Sequence, residues 1–148
     1  MAQRISKRLA DIVEALPIKK GMRILEIGCG PGVAARQIAS RLRLDKGYVL
    51  AIDRSEKAIR QAIEGSQQEI ASGRLAFRQG AIENFELINQ EKPFDLAFAI
   101  RVGALDGRHP DLEKKALINI TKALTKNGKL FIDGGNPLKE IPLEPYRK

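Results

Sequence analysis

The stretch Ile24–Asp53, ILEIGCGPGVAARQIASRLRLDKGYVLAID, decides the fold. An apolar run from Met22 to Ile27 is broken by one acid, Glu26. Gly28, Gly30 and Gly32 follow at alternate positions, then small and apolar residues at helical spacing, then a second apolar run that ends on Asp53. Strand, glycine loop, helix, strand and terminal acid is the outline of a nucleotide-binding βαβ unit.

Outward from that unit, strands and amphipathic helices keep alternating. Residues 4–16 put Ile5, Leu9, Ile12, Val13 and Leu16 on one helical face, and Pro17 stops the helix. Within the unit itself, strands at about 22–27 and 48–53 flank a helix at about 32–43, with Ala35, Ile38, Ala39 and Leu42 toward the sheet. Ser55 is placed to cap a helix that Gly65 weakens and Gly73 ends, with Ile59, Ala62, Ile63 and Ile70 as its buried stripe. Strands are expected at 75–79, 94–100 and 129–133. A helix is expected at about 111–125, with Leu112, Ala116, Leu117, Ile120, Ala123 and Leu124 inward. Residues 101–110 read as a loop, and the tail after Asp133, rich in Pro and Gly, as mostly irregular. The alternation predicts one α/β domain over residues 1–148, an open doubly wound, mostly parallel sheet with ligands at the carboxyl ends of its strands.

Composition narrows the class. With 43% apolar and 30% charged residues, the chain reads as a soluble globular domain, and it has no apolar run of transmembrane length. The start, MAQRISKRLADIV, mixes charged with apolar residues and does not read as a signal peptide. A single cysteine, Cys29, excludes an internal disulfide and a cysteine metal cluster; a cytoplasmic setting and no metal site are expected. The net charge of +8 leaves nucleic acid open as a partner. The basic residues are scattered, however, and only 5% of residues are aromatic, which favours a solvated basic surface over a base-stacking platform.

The chain resembles the class I S-adenosylmethionine-dependent methyltransferases over about residues 20 to 135. LEIGCGPG is similar to that family's acidic-x-Gly-x-Gly-x-Gly motif at Glu26, Gly28, Gly30 and Gly32, and Asp53 in AIDRS resembles the acid closing its second strand. PFDLAFAI and NGKLFID resemble its fourth and fifth strands. The resemblance implies S-adenosylmethionine as cofactor, held by Glu26, Gly28, Cys29, Gly30, Gly32, Asp53, Arg54, Ala81 and Ile82, and methyl transfer to a small molecule. A carboxylate has the two acceptor oxygens a ribose diol needs, which suits Asp53, and Glu26 suits the amino end of the methionine moiety. Many family members carry Asp after the glycine that closes strand 3; here it is Ala81, so the adenine amino acceptor is open between backbone atoms of Ala81 and Ile82, and Glu83. Arg54 stands either against the adenine or in solvent. A dinucleotide oxidoreductase would need G-x-G-x-x-G, whose third position here is Val33.

Methyl transfer is an in-line displacement that orientation and desolvation can drive, so no obligatory acid–base pair is expected. The loop after strand 4 offers two weak catalytic candidates, Arg101, suited to an anionic substrate, and His109, the only histidine. No Asn/Asp-Pro-Pro-aromatic or Pro-Cys motif is present, which argues against base-amino and cytosine C5 methylation. The family sheet runs 3-2-1-4-5-7-6, and only fifteen residues follow Asp133. A shortened order, 3-2-1-4-5, is expected, with room for a small strand from the tail. The edge of strand 5 would then be covered by residues 136–148 or by a second chain in a homodimer. The alternative to an enzyme is a non-catalytic cofactor-binding module or one subunit of a larger methyltransferase.

Overall fold

A computed structural model describes residues 5–41 and 46–147 of the chain. In chain order its longer elements are α1 (Lys7–Ala15), β1 (Arg23–Ile27), α2 (Val33–Arg41), β2 (Tyr48–Asp53), α3 (Glu56–Glu64), α4 (Gln67–Ala71), β3 (Leu75–Gln79), β4 (Phe94–Ala99), α5 (Pro110–Ala123), β5 (Leu124–Asp133) and β6 (Leu138–Ile141). One sheet holds all six strands in the order β3-β2-β1-β4-β5-β6. The first five run parallel, and β6 lies antiparallel to β5.

The central strands are apolar on both sides because helices cover both sides. On one face Leu25, Ile27, Leu50, Ile52 and Ala97 pack with Ala116 and Ile120 of α5. On the other, Ile24, Val49, Ala51 and Phe98 pack with Val13 of α1 and Ile38 of α2. Side chains alternate along a strand, so Glu26 falls on this second face, at the carboxyl end of β1, one of the two central strands. That register, and not local composition, buries an acid in the middle of the sheet.

Several boundaries depart from the expected ones. The helix after Ser55 is two helices, because the chain turns at Gly65–Ser66, where a Cβ on Gly65 would lie 3.1 Å from the Arg36 guanidinium. The buried stripe of α3 is Ile59 and Ala62, continued by the fully buried Ser66, and Ile63, one step further round the helix, is 39% exposed. The helix expected to reach residue 125 ends at Ala123, because Leu124 already pairs with Phe94 in the sheet. The tail is more ordered than expected. It supplies β6, whose Leu138–Ile141 pairs with Leu130–Asp133 and covers the edge of β5, followed by a 3-10 turn at Glu144–Tyr146. The ends of three predicted segments, Arg4, residues 42–43 with the inward-assigned Leu42, and Lys148, lie outside the described residues.

Gly32, at the start of α2, shows how tightly that helix meets the sheet. Its φ is +86°, and a Cβ there would lie 2.9 Å from the Phe77 ring and 3.1 Å from Ala62 Cβ. Gly32→Ala therefore combines an unfavourable backbone with overpacking, at a cost of roughly 2–4 kcal/mol. The urea midpoint should fall accordingly with an unchanged m-value.

Candidate functional site

The loop from Gly28 to Gly32 leaves the end of β1 and is tied to the end of β2 by main-chain bonds. The N–H groups of Gly28 and Cys29 both donate to the Ile52 carbonyl, at 2.8 and 2.9 Å. Gly30 N–H donates to Asp53 Oδ2 at 2.8 Å. Gly28 has φ +75° and no room for a side chain, since a Cβ would sit 2.7 Å from Val102 Cγ2. Gly30 differs. Its φ is +54°, and a Cβ there would meet nothing within 4 Å, so this peptide faces open space. From behind, the Arg36 guanidinium donates to the Pro31 carbonyl at 3.0 Å and to Ser66 Oγ at 2.9 Å, bracing the loop against α4. Arg36 escaped the sequence reading because its partner lies thirty residues away, beyond a helix break that only packing reveals.

The loop separates two cavities that share Gly28 and Arg101. One, of about 330 Å³, lies between the loop and α1 and is lined by Leu9, Ile12, Glu26 and Gly30 among others. The second, of about 220 Å³, lies over the ends of β2 and β3 and includes Asp53, Arg54, Ala81, Ile82 and Glu83. A larger cavity of about 470 Å³ opens near Lys19, Lys20 and Asp95, at the amino ends of the strands, and contains none of the glycine loop. The topology favours the carboxyl ends for ligands, so the two-lobed crevice is the site.

Glu26 is the most unusual group in the crevice. Only 4% of it is exposed, and its Oε1 has no hydrogen-bond partner. Burial first, then the negative charge of Asp53, pushes its pKa up to about 8, against the pull of the Ala35 N–H. A buried carboxyl with an unused oxygen beside a cavity lacks a cationic donor. Burial, helped by Glu26 and Asp53, likewise pushes the Cys29 thiol well above its ordinary value, and its Sγ lies 3.4 Å from the Gly30 carbonyl oxygen. Cys29 is a packed residue on the floor of the crevice, not a nucleophile.

Asp53 lines the second lobe, as its place at the end of β2 predicts. Sequence did not reveal that both its oxygens already hold the main chain, Oδ2 from Gly30 N–H and Oδ1 from Ser55 N–H at 2.9 Å. Each oxygen keeps a further lone pair for a hydroxyl. Arg54 bonds Glu83 at 3.1 Å, and Asn119 of α5 donates to the Ile82 and Glu83 carbonyls, so this wall is fixed by side chains remote in sequence. Arg101 borders both lobes. His109 is exposed at the start of α5 and lines neither lobe. Among the described residues no group of three or more His, Cys, Asp or Glu side chains could hold a metal ion, and no helix is long and apolar enough to cross a membrane.

The residues present fit an adenosyl–amino acid ligand. Two carboxylates and an open-faced glycine peptide suit a ligand with hydroxyls at one end and an ammonium at the other, and disfavour the pyrophosphate of a dinucleotide. Two variants test the electrostatics and the open face. Below about pH 4.5 Glu26 is protonated folded and unfolded, and its favourable contribution is lost as pH rises through about 8. Glu26→Gln should therefore flatten the stability–pH profile over that window and stabilise the ligand-free protein at pH 8 by on the order of a few kcal/mol. Chemical denaturation across pH reads this. Gly30→Ala should cost the fold only about 1 kcal/mol, because the left-handed region is accessible and nothing is struck, yet lower affinity for S-adenosylhomocysteine at least about tenfold by filling the open face.

Comparison with known proteins agrees. Residues 18–146 match the family model described as a methyltransferase domain. The chain is 29% identical over 136 residues to the O-methyltransferase rstn1 of Aspergillus nomiae, covering 88% of this chain and 56% of that protein. It is 27% identical over 111 residues to the sterol 24-C-methyltransferase erg6 of Aspergillus fumigatus, covering 75% of this chain and 27% of that protein. Among solved structures, the [4+2]-cyclase SpnF superposes with a TM-score of 0.66 at 26% identity, covering 84% of this chain and 43% of that one. A methyltransferase from Thiobacillus denitrificans in complex with S-adenosyl-L-homocysteine superposes with a TM-score of 0.62 at 19% identity, covering 86% and 48%. The chain thus spans about a quarter to just over half the length of these curated relatives. With the family's glycine loop and its two acids in place, this chain belongs to the class I S-adenosylmethionine-dependent methyltransferase family.

Proposed function

We propose that the chain binds S-adenosylmethionine in the two-lobed crevice and transfers its methyl group to a small molecule. The observation that carries this reading is the buried, unpartnered Glu26 oxygen beside the open face of Gly30. When bound, the cofactor supplies a methyl carbon whose bond to sulfur breaks as an acceptor lone pair bonds to it, the bonding electrons passing to sulfur and any acceptor proton to water.

The chain's own residues do the rest. Glu26, once ionised, holds the ammonium of the methionyl part in the α1 lobe, and Asp53 accepts hydroxyls of the ribose in the other. Main-chain atoms of Ala81 and Ile82 border the adenine. Arg54, paired with Glu83 through one edge of its guanidinium, borders that wall. Gly28, Cys29 and Gly32 shape the loop. Leu9 and Ile12 of α1 exclude water from the floor, which strengthens the Glu26 contact. Catalysis then rests on alignment of donor and acceptor and on desolvation.

The names of the relatives support a small acceptor without choosing the accepting atom, since one acts on oxygen and another on a sterol carbon. The likeness to a cyclase is a reminder that this fold carries more than one reaction. Calorimetry with S-adenosylhomocysteine tests the site directly. Binding at pH 7 should release a proton as Glu26 ionises, and affinity should rise by up to about tenfold per pH unit until about pH 8. Methylthioadenosine, which lacks the ammonium, should show neither effect. Equal pH profiles for the two ligands would refute the assignment of Glu26, and cofactor binding without transfer to any acceptor would identify a binding module in place of an enzyme.

A further inference from the structure

We propose that Arg101 is the acceptor-binding residue and that it selects an acceptor carrying a carboxylate or phosphate group, an inference that rests on the methyl-transfer reading above. Among the described residues, four arginines stand around the crevice at the carboxyl ends of the strands: Arg8, Arg54, Arg101 and Arg108. Three are neutralised within the chain. Arg8 bonds Asp133 at 3.2 Å, Arg54 bonds Glu83 at 3.1 Å and Arg108 bonds Asp106 at 2.7 Å. Among the described residues, no carboxylate pairs with the exposed Arg101 guanidinium.

Its position gives that charge a use. Among the described residues Arg101 is the only arginine bordering both lobes, so it stands where a ligand spanning the crevice passes from one to the other. Its backbone is held in place, with φ +58°, a conformation that a non-glycine residue keeps only when its surroundings enforce it. The enforcing contact is visible. Arg101 N–H donates to Asp133 Oδ1 at 3.0 Å, while Asp133 Oδ2 takes the Arg8 guanidinium from α1. One carboxylate at the end of β5 thus ties the first turn of α1 to the peptide that presents Arg101.

The electrostatics then choose the acceptor. With the ammonium held by Glu26, the cofactor's remaining uncompensated cation is the sulfonium at the reacting centre, in the crevice that Arg101 borders. An unpaired guanidinium beside it is repulsive until an anion lies between them. A carboxylate or phosphate on the acceptor satisfies both cations at once, and the planar guanidinium can grip it with two parallel hydrogen bonds. Asp133 is a positioning residue here, because its oxygens are committed to the main chain of Arg101 and to Arg8.

The test uses the full chain with labelled methyl donor and a small-molecule extract split by anion exchange into retained, acidic material and flow-through. Label should appear in the acidic fraction. Arg101→Asn, which tolerates the left-handed backbone, should lower transfer at dilute acceptor by about tenfold or more, with recovery as the fraction is concentrated. Arg101→Lys should be intermediate, and affinity for S-adenosylhomocysteine should stay within about twofold in both. Label only in the flow-through, no labelled product from a protein that binds the cofactor, or an Arg101→Asn protein that transfers as well as the unaltered one would each overturn the proposal. So would a tenfold loss of S-adenosylhomocysteine affinity in that variant, which would assign Arg101 to the cofactor. A protein that binds no cofactor at all fails the methyl-transfer reading itself, and calorimetry separates that result from the others.

Discussion

The fastening of the glycine loop to the end of β2 is the constraint on which the site depends. Two N–H groups share the Ile52 carbonyl and a third reaches the Asp53 carboxylate. These bonds hold the loop flat against the neighbouring strand with the outer face of Gly30 clear. Asp53 therefore has two duties, as a brace for the loop and as an acceptor facing the crevice. Loss of affinity after its replacement would not by itself distinguish the two, whereas ligands that lack ribose hydroxyls can.

The same arrangement creates the electrostatic character of the crevice. β1 is one of the two central strands, and its carboxyl end carries Glu26 toward α1 and α2. Desolvation and the nearby Asp53 push the pKa of that carboxyl up in the ligand-free protein. Among the described residues no cation of the chain reaches the Glu26 Oε1, even though the chain as a whole carries +8. Among the described residues, Arg8, Arg54 and Arg108 at the rim are each paired with an acid.

The sheet also covers the outer edge of β5. β5 would be open along its outer side, with unpaired backbone groups. The tail returns antiparallel as β6, and its own edge is only four residues long and carries Lys139 and Glu140, both exposed. Short, charged edges resist pairing with another chain.

Much of this was legible in the sequence, for reasons that are local. Apolar runs of strand length, glycines at alternate positions and an acid closing the second run fix the parallel unit, and with it the positions of Glu26, Gly28, Gly30, Gly32 and Asp53. These signals sit within thirty residues and follow from period and turn chemistry alone. The remainder depends on contacts between distant segments. Arg36 braces the loop through Ser66, Asp133 joins Arg8 to the Arg101 peptide, and Asn119 holds the wall at Ile82 and Glu83. No periodicity announces such pairs, because each partner looks like an ordinary surface residue in its own stretch. Sequence by itself determined the fold class and the two acids. Only the tertiary structure decided that the Glu26 Oε1 lacks a partner and that, among the described residues, no carboxylate pairs with Arg101, since burial and pairing are properties of what folds against a residue and not of its neighbours along the chain.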